Sequence, residues 1–507
     1  MPQDKDWKQH IPVPVFEEHP EYNDLYWKAW ELAHDHIKDI PGMPQTPYMD
    51  EAFCDTDIWI WDSCFMSLFC KYASKEFPGV QTLNNFYKVL HDDYNLPKII
   101  TQNAPAWTGE TIGCEAQMKI HIADNPPLFA WAEYENALMS GDKEHIKDLL
   151  LEKQYLQKHF IWLESLEAES QVKKVRGCTC LIHEEKGYLW EGGRSGMDNT
   201  PRGRTGPKAL KDRPNNPDMY WIDALAQQGL AALCISKLAD LIEESEMAAK
   251  WQRIFEDKKA LINDYYWDDT DKFYYDIDRK DMDFIKIKTP ASYWPLTASM
   301  ANTEQAEAMS EYIDSPNIFG GEYPWVSLSR DDADFNIETG EYWRGSIWLP
   351  TAYAGLKGLQ NYGHFETARN SALKLINQMY KTFANYSPHT IWECYNPAKP
   401  EPARSCDEGG RVVRPDFCGW SALGPISIYI ENVIGIYSIN AFDKTVKWRL
   451  PVKLSGKIGI KNLSFGDVNT DLIVDNQICE VHSNQKYTLL LNGKEYSIMP
   501  GSNSFEL

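Results

Sequence analysis

Long hydrophobic runs are missing from this 507-residue sequence. No stretch of about 18 apolar residues occurs, so the sequence predicts no membrane-spanning helix and no membrane partner. The first twenty residues also lack the basic and apolar regions of a secretory leader. We therefore expect a cytoplasmic protein, with the periplasm as the alternative if a leader has been removed.

Basic residues are scarce, with 51 Lys and Arg against 74 Asp and Glu and a net charge of −23. Nucleic-acid affinity depends on neutralising phosphates with Lys and Arg, so we expect no nucleic-acid partner. The 11 cysteines are odd in number and lack metal-ligand spacing, since Cys178 and Cys180 form the nearest pair. They predict free thiols in a reducing compartment. A Gly-rich phosphate loop and an HExxH motif are absent as well, so we expect no metal and no cofactor.

Aromatic residues, in contrast, are abundant, with 19 Trp and 27 Tyr. Many of them lie in polar segments that contain Gly and Pro, rather than on helical faces. Sugars present apolar C–H faces that stack on aromatic rings, and their hydroxyls bind planar polar side chains. We therefore expect a small saccharide or glycoside as the partner.

Apolar residues recur with helical periodicity in about twelve segments. The predicted helices are 22–39, 62–76, 81–93, 127–140, 143–168, 218–243, 246–266, 292–301, 303–314, 345–360, 364–384 and 420–437. Loops of twenty or more residues separate several of them, whereas the connections in helix bundles usually have two to eight residues. The pattern predicts a mainly α protein, an (α/α)6 toroid with six inner and six outer helices and a pocket at one end.

The periodicity changes to alternation of apolar and polar residues from about residue 440. Segments such as 457-KIGIKNLSF and 486-KYTLLLNG show it, and Gly, Asn, Asp and Pro interrupt them. This region predicts a small β-sandwich-like domain. The predicted organisation is an N-terminal extension over 1–20, a catalytic domain over 21–440 and a small β domain over 441–507.

Two acidic residues lie in segments rich in aromatic and turn residues. Asp198 belongs to 189-LWEGGRSGMDNTPRGR-204 and Glu393 to 391-IWECYNPAKP. Glycoside hydrolysis requires a protonated acid on one side of the scissile bond and an ionised carboxylate on the other. We therefore predict that Asp198 and Glu393 are the catalytic pair.

Structural roles are the alternatives for these residues. Asp198 alternatively forms an Asx-turn or a helix cap, and Glu393 alternatively forms a buried ion pair. Asp62 alternatively caps a helix that begins at Ser63. Trp343 and Trp348 alternatively belong to the core.

Five segments together resemble glycoside hydrolase family 63 and its mannosylglycerate hydrolase-like and trehalase-like relatives. The resemblance covers roughly residues 20–440. The matching segments are WIWDSCF around Trp59, Trp61 and Asp62; NPP from Asn125; GRSGMDNTPR around Asp198; YWRGSIW with Tyr342, Trp343, Arg344 and Trp348; and WECYNP with Trp392 and Glu393. Members of this family have an (α/α)6 catalytic domain.

The resemblance implies a role for each matched residue. Asp198 corresponds to the general acid, and Glu393 corresponds to the general base. The implied substrate-binding residues are Trp59, Trp61, Asp62, Asn125, Tyr342, Trp343, Arg344, Trp348 and Trp392. Arg194 replaces a glutamate that is common in the acid loop, and Asn125 is shorter than the usual glutamine. We expect the glycines of the acid loop to let its backbone approach the sugar, and Arg202 to brace that loop.

The sequence therefore predicts an inverting, exo-acting glycosidase without a cofactor. Its expected substrate is a short glycoside from which it removes an α-linked glucosyl-type or mannosyl-type residue. One alternative is an α/α-toroid enzyme that acts on uronate-containing saccharides, for which Arg202 and Arg344 are the candidate cations. The other alternative is a non-catalytic carbohydrate-binding protein.

Overall fold

Twelve helical segments of the computed structural model alternate between the outside and the inside of a ring. The structure describes residues 7–51, 58–90, 99–100, 126–165, 174–175, 178–179, 181–190, 192–203, 218–406 and 410–507. The outer helices are α1 (Tyr22–Asp35), α3 (Gly79–Lys88), α5 (Tyr155–Glu164), α7 (Ser245–Tyr265), α9 (Thr303–Asp314) and α11 (Phe365–Asn385). The inner helices are α2 (Ile60–Cys70), α4 (Phe129–Ser140), α6 (Ile222–Leu241), α8 (Trp294–Thr297), α10 (Leu349–Asn361) and the π-helical α12 (Gly424–Ile434).

The inner helices close a ring through contacts between successive members. Helix α2 contacts α4, α4 contacts α6, α6 contacts α8, α8 contacts α10, α10 contacts α12, and α12 contacts α2. Each outer helix packs against one or more helices of the fold, as α7 does against α6. The predicted (α/α)6 toroid is thus confirmed. Within the described part of the chain, no helix combines the length and the apolar character needed to cross a membrane.

The distribution of apolar residues explains which helices lie inside. In the inner helix α6, 17 of the 20 residues are buried, as expected for a helix that is apolar on all sides. In the outer helix α7, the buried residues are only Ala248, Trp251, Phe255, Lys258 and Ile262. Their spacing of three and four residues forms one stripe along the helix. One stripe is enough for an outer helix because only one side faces the ring.

Several helix ends differ from the predicted ones because of local backbone geometry. The predicted helix 143–168 is interrupted, since a left-handed Gln154 (φ 58°) separates the π-helical turn Asp148–Glu152 from α5. Helix α2 begins at Ile60, so Asp62 lies in the first helical turn and is not the cap.

A small antiparallel sheet, which no segment of the sequence predicted, lies between the helices. Its strands, in spatial order, are Phe284–Ile285, Asp276–Asp278, Met219–Tyr220, Gly187–Leu189 and Ile182–Glu184. Strands of two or three residues are too short to show a period. The strand Gly187–Leu189 leads directly into the segment that carries Asp198.

Two further sheets form the predicted C-terminal β region. One contains Val13–Phe16, Ile458–Phe465, Val468–Asp475, Ile478–Ser483 and Gly501–Glu506 in this order. The other contains Ile436–Asn440, Thr445–Trp448, Tyr487–Leu491 and Lys494–Ile498 in this order. Edge-to-face contact of Phe465 with Tyr487 joins the two sheets. The N-terminal segment thus supplies an edge strand, and the domain boundaries predicted from the sequence stay a prediction.

A buried ion network connects four of the inner-ring segments. Lys71, just after α2, lies 2.8 Å from Glu135 of α4 and 3.0 Å from Glu431 of α12. Lys357 of α10 lies 2.9 Å from Glu431. Burial raises the pKa of Glu431, but the charges of Lys357 and Lys71 outweigh burial and hold this pKa below its ordinary value. Removing one partner of such a network leaves an uncompensated buried charge, which typically costs about 3 to 5 kcal/mol.

A histidine at the outer surface forms a charged pair with the inner helix α4. Nε2 of His145 lies 2.8 Å from a carboxylate oxygen of the buried Glu133. The charge of Glu133 raises the pKa of His145 to about 9, although partial burial opposes the shift. A raised pKa means that the folded state binds this proton more tightly than the unfolded state does.

The pair should therefore stabilise the fold in a pH-dependent way. Its contribution is complete below the ordinary pKa of 6.5 and is lost as the pH rises through about 9. We expect His145→Gln to lower the free energy of unfolding by about 1 kcal/mol near pH 6, a value reduced for partial exposure. Near pH 10 the variant and the wild type should be equally stable.

Urea denaturation at both pH values measures this difference. In a Glu133→Gln background the effect of His145→Gln on stability should depend much less on pH, because the largest cause of the raised pKa of His145 is removed. An equal loss at both pH values would contradict the assignment and would indicate a packing role.

Candidate active site

Asn199 joins the Asp198 loop to the turn that carries Tyr342. Its side-chain amide donates a hydrogen bond to the carbonyl of Glu341 (2.8 Å) and accepts one from the N–H of Trp343 (2.8 Å). Asn199 is fully buried, so water does not compete for either bond. The two bonds lie on either side of Tyr342, and they bring Asp198 next to this tyrosine.

Tyr342 contacts one of the two predicted catalytic carboxylates and is influenced by the charge of the other. Its hydroxyl donates a 2.7 Å hydrogen bond to Oε1 of Glu393. Burial raises the pKa of Tyr342 well above its ordinary value, and the charges of Glu393 and Asp198 raise it further. The phenol therefore lies within the electrostatic influence of both carboxylates, although they belong to distant segments of the chain.

The backbone at this point adopts an uncommon conformation. Glu341 (φ 36°) and Tyr342 (φ 64°) are consecutive non-glycine residues in the left-handed region. This conformation costs roughly 1 to 2 kcal/mol per residue. Such strain persists only where surrounding contacts enforce it, and it concentrates at functional sites. The two hydrogen bonds of Asn199 supply contacts of this kind.

Glu393 is held in place by backbone and side-chain contacts. Its backbone N–H donates to the carbonyl of Arg414 (3.0 Å), and the N–H of Arg414 donates to its Oε2 (3.3 Å). Its carbonyl accepts hydrogen bonds from Nε1 of Trp420 (2.8 Å) and from the hydroxyl of Ser421 (3.2 Å). The side chain is 3% exposed. Tyr342 therefore donates to one oxygen of the carboxylate, and Arg414 donates to the other.

Stacked indoles form a layer beneath these groups. Trp343 and Trp348 are parallel, with ring centres 4.1 Å apart, and Trp348 also contacts Trp420. Trp343 and Trp348 are 0% and 1% exposed. Rings without exposed area have no face open for stacking on a sugar, so their burial favours the core alternative for both.

Gly196 lets an aromatic ring approach the acid loop. Its φ of +83° is in the left-handed region, and a Cβ atom at this position would lie 2.4 Å from the ring of Trp61. Trp61 in turn contacts Trp420 with ring centres 5.8 Å apart. This glycine makes room for Trp61, whereas we expected the glycines to make room for the sugar.

Arg202 braces the acid loop, as expected. It donates hydrogen bonds of 2.6 to 2.9 Å to the carboxylates of Asp223 and Asp276, and all three residues are buried. Neither carboxylate was predicted as part of the site, because they lie 21 and 74 residues from Arg202 along the chain. Arg344 is also engaged, since its Nε donates to the carbonyl of Asn199 at 3.3 Å.

The other predicted substrate-binding residues lie at several places. Trp59 is partly buried at the end of the short strand Ile58–Trp59, and Asp62 is buried in the first turn of α2. Trp392 is 3% exposed and contacts Tyr386 edge to face. Asn125 lies outside the described residues.

Several inner helices begin at this site. Trp61 in the first turn of α2 and Trp348 just before α10 both contact Trp420, which precedes α12. Helix N-termini carry partial positive charge, which favours nearby carboxylates. No group of His, Cys, Asp or Glu suited to holding a metal ion occurs among the described residues.

Sequence comparison identifies related proteins. The chain is 27% identical over 423 residues to an uncharacterized protein of Borreliella burgdorferi, covering 81% of this chain and 78% of that protein. It is 22% identical over 306 residues to a mannosyl-oligosaccharide glucosidase of Saccharomyces cerevisiae, covering 55% of this chain. It is 26% identical over 223 residues to a cytosolic neutral trehalase of Kluyveromyces lactis, covering 42% of this chain. These alignments span 34% of the glucosidase and 29% of the trehalase, about a third of each relative.

Comparison of folds and of family patterns agrees with these relatives. The fold is similar to that of a GH63 mannosylglycerate hydrolase from Thermus thermophilus solved in complex with glucose, with a TM-score of 0.59 and 19% identity. That match covers 80% of this chain and 99% of the other. Residues 56–408 match the family model of the mannosylglycerate hydrolase MGH1-like glycoside hydrolase domain. This range contains Asp198, Tyr342 and Glu393. It is well over half of the chain, so the chain belongs to the MGH1-like family of glycoside hydrolases.

Proposed function

We propose that this glycoside hydrolase is an inverting, exo-acting enzyme. It removes an α-linked glucosyl-type or mannosyl-type residue from a short glycoside. The observation that carries the proposal is the phenol of Tyr342, which donates to Glu393 and is also influenced by the charge of Asp198. That one phenol is influenced by carboxylates from two separate segments supports a site with an acid and a base, as glycoside hydrolysis requires.

The surroundings of the two carboxylates favour different roles. Glu393 is buried and accepts hydrogen bonds from Tyr342 and Arg414, and such donors favour the ionised form that a general base needs. Asp198 is partly exposed and is therefore accessible to the leaving group. We assign Asp198 as the general acid and Glu393 as the base that activates water, with a carboxyl separation of about 6.5 to 9.5 Å for an inverting enzyme.

Some predicted contacts with the sugar remain part of the proposal. We assign Trp59, Trp61, Asp62, Asn125 and Trp392 to the substrate-binding region. Trp392 directly precedes Glu393 in the chain, and Trp59 is partly exposed.

The uronate alternative loses its two candidate cations. Arg202 is fully engaged by Asp223 and Asp276, and Arg344 is engaged by Asn199 and lies 3.9 Å from Asp334. The guanidinium of Arg202 already binds two buried carboxylates and is not free to bind the carboxylate of a uronate, and that of Arg344 already contacts the acid loop. A neutral sugar therefore fits this site better.

The relatives are named for their action on mannosyl compounds, glucosyl compounds and trehalose, so we propose either a glucosyl-type or a mannosyl-type residue as the substrate of this enzyme.

We also propose a cytoplasmic location. Free thiols persist in a reducing compartment. The seven cysteines whose side chains the structure describes are all free, and six of them are buried.

Hydrolysis of a panel of α-linked disaccharides and short glycosides tests the activity. We expect release of a terminal glucose or mannose from at least one neutral glycoside, and no cleavage of uronate-containing saccharides. Proton NMR before mutarotation should show a first product of inverted anomeric configuration, because water attacks from the face opposite the leaving group. A first product of retained configuration would rule out the inverting mechanism.

Substitution of each carboxylate tests the assigned roles. Asp198→Asn removes the proton donor, so turnover of natural glycosides should fall by about two to four orders of magnitude. An activated aryl glycoside needs less protonation and should be affected less. Glu393→Gln removes the base, so both kinds of substrate should lose a similar factor. If Asp198→Asn slowed both kinds of substrate equally and Glu393→Gln slowed the activated glycoside less, the two roles would have to be exchanged.

The indole layer is expected to support the site and not to bind sugar. Trp348→Ala removes a fully buried ring, so the free energy of unfolding should fall by about 3 to 5 kcal/mol. The matched control is Trp267→Ala, which removes a partly exposed ring and should cost less. Urea denaturation measures both losses. A Trp348→Ala variant of unchanged stability but weaker saccharide binding would show that Trp348 contacts the substrate.

A further inference from the structure

The backbone N–H, the carbonyl and the ring of Tyr342 each contact other parts of the protein. Its N–H donates to the carbonyl of Arg404 (2.9 Å), and its carbonyl accepts from Nε1 of Trp348 (3.1 Å). Its ring lies edge to face on Trp348, with ring centres 4.7 Å apart. Asn199 fixes the residues on both sides of it. The side chain therefore has little freedom to adapt to a substrate.

The hydroxyl of this fixed ring is directed at the proposed base. It donates to Oε1 of Glu393, while Arg414 donates to Oε2. Donors from two different segments, one on each oxygen, restrict the rotation of the carboxylate. A donor that holds one oxygen in this way would fix the direction of the other lone pairs.

The hydroxyl also keeps its proton across the working pH range. Burial and the carboxylates of Glu393 and Asp198 raise the pKa of Tyr342 well above its ordinary value. The thiol of Cys394 also raises the pKa of the phenol, and burial raises the pKa of this thiol in turn. The neighbouring carboxylate of Glu341 is turned aside, since it accepts a hydrogen bond from Asn336 (3.0 Å).

We propose that Tyr342 is a positioning residue for the general base, and that it acts on the reaction through Glu393 and not by binding the sugar. This role rests on the proposed function of Glu393. The hydrogen bond orients the carboxylate toward the attacking water and favours its ionised form. Asn199 maintains the arrangement by holding the left-handed turn to the acid loop.

Tyr342→Phe tests this role because it removes the hydroxyl and keeps the ring. We expect kcat to fall by roughly 10-fold to 100-fold, with KM changed by less than about twofold. The acidic limb of the plot of kcat/KM against pH should move up by roughly one pH unit, since the ionised base loses a hydrogen-bond donor. A residue that contacts only the sugar would raise KM and leave the limb in place.

Tyr395→Phe is the matched control. Tyr395 is a fully buried tyrosine two residues after Glu393, and its hydroxyl accepts from the N–H of Trp392 (3.2 Å). Its substitution removes the same kind of hydroxyl group from the segment of Glu393 itself, but no hydrogen bond to the carboxylate is lost. The acidic limb should therefore stay at the wild-type pH. A shift of equal size in both variants would mean that a general loss of packing near Glu393 moves the acidic limb of the pH profile. This result would overturn the proposal.

A measurement without substrate separates this proposal from the proposed function. With 13C-labelled glutamate carboxyl groups, the NMR signal missing from Glu393→Gln reports the titration of Glu393. Its midpoint should be higher in Tyr342→Phe than in the wild type by roughly one pH unit. An unchanged midpoint would overturn the positioning role even if the enzyme is active. An enzyme that hydrolyses no glycoside of the panel would contradict the proposed function, and the titration would still decide whether Tyr342 controls Glu393.

Discussion

The side-chain amide of Asn199 determines how the parts of this site are placed relative to one another. It bonds to the backbone on both sides of Tyr342, and in this way connects the segment of Asp198 with the tyrosine that contacts Glu393. An amide suits this position because it has a donor and an acceptor on one rigid plane. Aspartate would lack the donor, and leucine of similar shape would lack both. The buried side chain of Asn199 therefore contributes two of the hydrogen bonds that relate the segments of two carboxylates 195 residues apart in the sequence, and Arg344 contributes a third.

The ring of inner helices provides a stable base for this arrangement. Helices α2, α10 and α12 direct their first turns toward the site, and the ion network of Lys71, Lys357 and Glu431 connects the same helices farther along. A buried network of this kind contributes little net stability compared with apolar packing. The network nevertheless constrains the geometry of the helices, because each buried charge must stay within reach of its partner. We infer that it fixes the relative positions of the inner helices.

The sequence predicted those features that depend on neighbouring residues. Helix α9 was predicted over 303–314 and is observed there, because Asn302 and Gln305 form a capping box that defines its start. The aromatic segments around Asp198 and Glu393 were recognisable for the same reason, since each motif lies within a few residues. The resemblance to a known family then supplied the order of the motifs.

Features that depend on distant residues were not predictable. Arg202 was expected to brace its loop, but nothing in the spacing identified Asp223 and Asp276 as its partners. The sequence also did not decide whether Trp343 and Trp348 are buried, because a tryptophan that lines a pocket and one that packs beneath it occur in the same kind of loop segment.

Pairing between strands from the two ends of the chain depends on residues that are especially distant in the sequence. Val13 pairs with Lys461, and Phe16 pairs with Ile458. Val13–Phe16 is synthesised long before Ile458–Phe465, so the two strands can pair only after the helical ring has been synthesised. Until then the backbone N–H and C=O groups of Val13–Phe16 lack this partner and are open to pairing with other strands.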